Sequence, residues 1–104
     1  MKKEVNKEYT ASLEEQIEIG SPSLYQVIVH NDDFTPMEFV VNLLEKFFYV
    51  ERRRAIDIMM EAHLKGRAAF GLYTKDVAES KIAEAVEYAR THEHPLTCSM
   101  EAAA

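Results

Sequence analysis

The sequence predicts a small α+β sandwich, a three-stranded sheet with three helices packed on one face, in the order β-α-α-β-α-β. Three observations predict it. A run rich in β-branched and aromatic residues at 24–30, and two further short segments at 67–73 and 96–100, read as strands. Between them, apolar residues repeat at i, i+3, i+4, i+7, the period of helices that bury one face. A length of 104 residues with a hydrophobic fraction of 47% is enough for one buried core and for one domain at most.

The first 20 residues hold five Glu and three Lys with few large apolar side chains, and Gly20-Ser-Pro-Ser23 punctuates their end. Residues 1–22 are therefore expected to form a mobile extension and residues 23–104 the folded body. The first strand is read over Leu24–His30, with Tyr25, Val27 and Val29 on one side and Leu24, Gln26, Ile28 and His30 on the other. A helix should follow from Pro36 to about Tyr49. Thr35 suits its N-cap, Pro36 its first position, and Glu38 completes a capping box. Met37, Val40, Val41, Leu44, Phe47 and Phe48 make its apolar stripe.

A second helix is predicted from about Glu51 to Lys65, stopped by Gly66. Ala55, Ile56, Met59, Met60 and Ala62 are expected on its apolar side, with Arg54, Asp57, Glu61 and Lys65 outward. Arg67–Tyr73 reads as the second strand, where Gly71 marks a bulge or a close contact. Thr74 caps a third helix and Asp76 favours its dipole; Ala78, Ile82, Ala85, Val86 and Ala89 form the buried face. Pro95 ends any helical run after His92-Glu-His94. Leu96–Met100 is the third strand and Glu101–Ala104 a frayed end.

Composition narrows the function. A net charge of −6 and a pI near 5.2 argue against nucleic acid or an anionic membrane as partner. No apolar run spans a bilayer, and the Met1-Lys-Lys-Glu start has no apolar core of a secretory signal behind it. Cys98 is the single cysteine, so no disulfide forms within the chain. A cytoplasmic location is the expectation. Cys98 has no basic neighbour to activate it and reads as a small buried hydrophobe.

Catalysis has little to rest on. His92 and His94 are two apart, which matches no helical ligand pair, and there is no cysteine pair to complete a metal site. No serine sits in a nucleophile-elbow context, and three scattered glycines make no phosphate loop. Neither a metal nor another cofactor is expected, and a hydrolase built on His92 and His94 is only a third reading.

One constellation survives. Asn31, Asp32 and Asp33 lie between an apolar strand and a helix start, where Asn and Asp also serve as ordinary turn formers. His63 comes from the second helix. Met37, Val40 and Met59 are apolar and close to these polar groups in sequence or along a helix face. If the two helices form a hairpin, these residues frame an apolar pocket with a polar mouth, suited to a ligand with one cationic end and one hydrophobic side chain.

Asn31-Asp-Asp-Phe-Thr-Pro-Met-Glu-Phe-Val40, Met59-Met-Glu-Ala-His63 followed by Gly66, and Glu93-His-Pro-Leu96 together resemble the bacterial ClpS adaptors over nearly the whole body, from about Ser23 to Met100. The resemblance implies an adaptor without catalytic activity. It would bind proteins bearing a free hydrophobic N-terminal residue (Leu, Phe, Tyr or Trp) and deliver them to the N-terminal domain of the ClpA unfoldase of the ClpAP protease. By position, Asn31, Asp32 and His63 would hold the α-amino group and first peptide unit. Thr35, Met37, Val40, Met59, Ala62 and Leu96 would line the side-chain pocket, with Met37 where the family screens out β-branched residues. Asp76 and Lys81 would face the unfoldase, and the N-terminal extension would be engaged during hand-over. Ala62 stands where the family often has a larger aliphatic residue, and Asp76 where Glu is common. The alternative is an interaction domain resembling the C-terminal domain of the ribosomal stalk protein, which would ignore peptide N-termini.

Overall fold

Val27, Ile28 and Val29 form the centre of the sheet, three consecutive β-branched residues that suit a strand paired along both edges. A computed structural model of the chain describes residues 24–103; the expected extension over residues 1–22 lies outside them. The elements are β1 (Tyr25–His30), α1 (Met37–Phe48), α2 (Arg52–Lys65), β2 (Arg67–Tyr73), α3 (Lys75–Thr91) and β3 (Thr97–Ala102). The order and the α+β class are as the sequence predicts. β1 is the middle strand and pairs antiparallel with both β2 and β3, giving the order β2-β1-β3.

One face of the sheet meets the helices. Val27, Val29, Ala68 and Phe70 join a single core with Val40, Val41, Leu43, Leu44 and Phe48 of α1, Ala55, Ile58, Met59 and Ala62 of α2, and Ala78, Ala85 and Ala89 of α3. The small alanine face of α3 allows close approach to the sheet. Ile28 points the other way and lies outside this core, yet is 1% exposed. Its pairing partners are Ala69 and Ser99, and an ion pair crosses β1 at its level, Arg67 to Glu101 at 3.0 Å.

Three expectations need correction. Thr35 does not cap α1. The capping position falls on Pro36, which has no side-chain donor or acceptor to offer, and Thr35 directs its hydroxyl to Asp32 instead. Glu38 likewise leaves the expected box to accept from Arg52 at 2.9 Å, and the same guanidinium reaches Glu45 at 3.1 Å. On α2, Ile56 and Met60 are 39% and 38% exposed, whereas Ile58 is buried. The chain's apolar arc there is wide, and the core takes the edge defined by Ala55, Ile58, Met59 and Ala62. Finally, β3 continues to Ala102. Glu101 and Ala102 pair with Gln26 and Tyr25, and the Arg67–Glu101 bridge fixes the residue expected to fray.

Other local readings stand. Thr74 accepts from the Val77 N–H at 3.4 Å and caps α3. The β1–β2 register shifts between Tyr25 and Val27, placing the extra residue of a bulge beside Gly71. Gly71 has φ +77°, and a Cβ there would lie 2.5 Å from the Tyr73 ring. Cys98 is half-buried, and burial pushes its thiol up to about 12, so it is a packed group and no nucleophile.

Candidate functional site

The junction between β1 and α1 is built around one carboxylate. Asp32 Oδ1 accepts the N–H of Phe34 at 2.8 Å and that of Thr35 at 2.7 Å, and Oδ2 accepts the Thr35 hydroxyl at 2.8 Å. This is the local turn that an Asp favours, made tighter by charge. Three of the roughly four lone-pair positions on a carboxylate are thereby filled, leaving room for one further donor. The turn also sets the direction in which α1 departs, and with it the position of Met37 in the first helical turn.

The end of α2 is brought to this turn by the backbone. Gly66 ends the helix in the left-handed region, φ +94°, where its missing Cβ removes the usual steric cost. Its N–H closes on the Ala62 carbonyl at 2.7 Å, and its own carbonyl accepts the Asn31 N–H at 2.9 Å. His63, in the last turn of α2, therefore faces the same concavity as Asn31 and Asp32.

That concavity is small and open at its mouth, with an empty volume of about 290 Å³ that includes the opening to solvent. Its lining brings together every pocket residue named from the sequence: Asn31, Asp32, Thr35, Met37, Val40, Met59, Ala62, His63 and Leu96. Burial grades them. Leu96, Ala62, Val40 and Met59 are 2%, 4%, 8% and 9% exposed and form an apolar floor, while Met37 is 43% exposed at the rim. Asn31 and His63 are exposed at the mouth, and Asp32 is half-buried between them. Asp33 does not line the cavity. Val29 and His30 do, and the sequence reading missed them. Their only signal was position, because the strand's last two residues must adjoin whatever the following junction builds. His30 Nε2 lies 2.8 Å from Ser99 Oγ, which holds the ring against β3.

Asp76 and Lys81 are elsewhere. They border a shallower groove with Tyr49, Val77, Ser80 and Glu84. Lys81 donates to the Phe47 carbonyl at 3.2 Å and sits 4.6 Å from the centre of the Tyr49 ring, so its charge is fixed at the C-terminus of α1. His92 and His94 are absorbed by packing. His92 Nδ1 lies 2.9 Å from the Tyr88 carbonyl oxygen, and the His94 ring meets the Phe39 ring edge-on at 4.4 Å. Among the described residues no three His, Cys, Asp or Glu side chains gather as metal ligands, and no helix is long and apolar enough to cross a membrane.

Known proteins resemble this chain in both sequence and structure. The family model described as ATP-dependent Clp protease adaptor protein ClpS matches residues 20–99. An ATP-dependent Clp protease adapter protein ClpS of Erwinia tasmaniensis is 50% identical over 86 residues, covering 83% of this chain and 81% of that protein. Among solved structures, Agrobacterium tumefaciens ClpS2 bound to L-phenylalaninamide is similar at a TM-score of 0.75 and 36% identity, over 78% of this chain and 98% of that one.

Proposed function

The chain belongs to the ClpS family of Clp protease adaptors, which are not catalysts, and from that premise we propose that its cavity holds the free α-amino group and hydrophobic first side chain of substrate proteins, which the adaptor delivers to a ClpA-type AAA+ unfoldase. In this reading Asn31, Asp32 and His63 bind the ammonium and first peptide unit. Thr35, Met37, Val40, Met59, Ala62 and Leu96 enclose a Leu, Phe, Tyr or Trp side chain. Asp76 and Lys81 face the N-terminal domain of the unfoldase, and residues 1–22 are engaged during hand-over. Family membership displaces the alternative of an interaction domain like that of the ribosomal stalk.

The observation that carries the reading is the gradation of one cavity from polar mouth to apolar floor. L-Phenylalaninamide, held by the Agrobacterium relative, has matching parts: a free α-ammonium, an apolar ring and a carboxamide. Burying a Leu or Phe side chain contributes about 1.5–3 kcal/mol. Each hydrogen bond from the ammonium adds roughly 1.5–3 kcal/mol. After the cost of association, the expected affinity is on the order of micromolar or somewhat tighter.

Fluorescence anisotropy tests this with labelled peptides that differ only in their first residue. Leu and Phe peptides are expected to bind; an Ala peptide and an acetylated Leu peptide are not. Equal binding of the acetylated and free peptides would refute an ammonium site.

A further inference from the structure

We infer that the rim of the cavity carries a second subsite, in which Phe34 and Leu64 receive an apolar side chain from the second or third residue of a bound polypeptide. This rests on the first-residue reading above, because the occupant is the continuation of the same chain. A polypeptide held by its amino group and first side chain has to leave through the mouth, past the residues that surround Asp32 and His63. Phe34 stands between Asp32 and Thr35 in sequence, and Leu64 follows His63.

Both side chains are unusual in their surroundings. Phe34 is 79% and Leu64 75% exposed, whereas the floor of the cavity beside them is nearly closed to solvent. Single exposed hydrophobics need no explanation, but here two large ones adjoin in sequence the residues that line one polar mouth, Asp32 and Thr35 for Phe34 and His63 for Leu64.

Their backbones are fixed before any ligand arrives. The Phe34 N–H is held by Asp32 Oδ1 at 2.8 Å. Leu64 lies in the last turn of α2, one turn that Gly66 closes and that the Asn31–Gly66 bond ties to the Phe34 loop. Covering these side chains therefore orders two rotamers and no backbone, the condition under which apolar contact converts efficiently into affinity. Neither side chain lines the cavity, so the subsite adds discrimination without altering first-residue choice.

The test uses the full-length chain and pairs of labelled peptides beginning with Phe, one continuing Leu-Val and the other Ser-Ser. The wild type should favour the Leu-Val peptide by roughly threefold to tenfold, the range expected for partial burial of one or two apolar side chains. The double variant Phe34→Ser, Leu64→Ser should bind the Ser-Ser peptide as the wild type does and lose the preference. Circular dichroism confirms that the variant is folded, as the exposure of both side chains requires. Equal affinity of the wild type for the two peptides, or a preference that survives in the variant, overturns the subsite while leaving the first-residue site standing. Failure of both peptides to bind the wild type overturns both. Wild-type self-association abolished by the double substitution, with no change in peptide preference, would assign the surface to a second copy and overturn the proposal.

Discussion

The Asn31 N–H donates to the Gly66 carbonyl oxygen at 2.9 Å, and this one bond joins the turn after β1 to the end of α2. It explains why residues more than thirty positions apart share one concavity. Gly66 is left-handed with open space around its missing Cβ, so substitution strains the backbone without a clash. Gly66→Ala is expected to cost about 1–2 kcal/mol, which lowers the melting temperature by roughly 4–16 °C in a domain of this size. Thermal unfolding checks this, and peptide affinity should weaken with it because the Asn31 anchor shifts.

Asp32 holds the turn and, in the proposed function, also binds the ligand's ammonium, so its substitutions must be chosen to separate the two. Asparagine keeps an oxygen for the Phe34 and Thr35 N–H groups, and its amide can donate to the Thr35 hydroxyl. Asp32→Asn should therefore melt close to the wild type yet lose about 1.5–3 kcal/mol of binding to a charged ammonium, roughly a tenfold to hundredfold rise in Kd. Asp32→Ala should lose both binding and the turn. Anisotropy beside thermal melts distinguishes them, and unchanged binding by Asp32→Asn would contradict the amino-group assignment.

Met37 stands exposed at the rim above a buried floor. Shortening it in Met37→Ala should admit peptides that begin with Ile or Val, whose branched Cβ needs width at the mouth. The same anisotropy series measures the change, and unchanged selectivity would remove Met37 from that role.

Cys98 provides a chemical prediction independent of ligand. Its thiol, raised by burial from 9.0 to about 12, holds about a thousandfold less thiolate at neutral pH than a free one. Alkylation by iodoacetamide at pH 8 should be correspondingly slow until the protein unfolds. Because the unfolded thiol ionises near 9 and the folded one near 12, the unfolded state binds fewer protons in that window, and stability falls as pH rises through it. Cys98→Ala should flatten that alkaline loss, seen by chemical denaturation at pH 8 and 10.

Removal of residues 1–22 should leave peptide affinity unchanged and abolish degradation of a Leu-starting substrate by the unfoldase and its protease. Complete degradation with the truncated adaptor would take hand-over away from that segment.

Much of this was legible in the residues. The three strands, the Gly66 stop and the Thr74 cap follow from local chemistry, which packing did not overrule. The pocket residues came partly from helical spacing and partly from resemblance, and the structure places all nine on one cavity. What escaped was competition between partners. Thr35 had two acceptable roles, and a nearby carboxylate prevailed over an uncapped helix end. Glu38 had an arginine within reach that spacing alone does not reveal. On α2, Ile56, Ile58, Met59 and Met60 span so wide an apolar arc that only the neighbouring elements select its inner edge.

The central position of β1 bears on how the molecule comes into being. Its pairing with β3 sets His30 opposite Thr97 and brings its ring to the Ser99 hydroxyl 69 residues along the chain, a non-local closure that slows folding relative to helical domains. Leu96, part of the cavity floor, lies just before that last strand. During synthesis the helical hairpin has its sequence long before the sheet has its third member. A nascent chain thus presents the apolar stripes of α1 and α2 before the cavity is complete, and the floor closes only when Leu96 and β3 are in place.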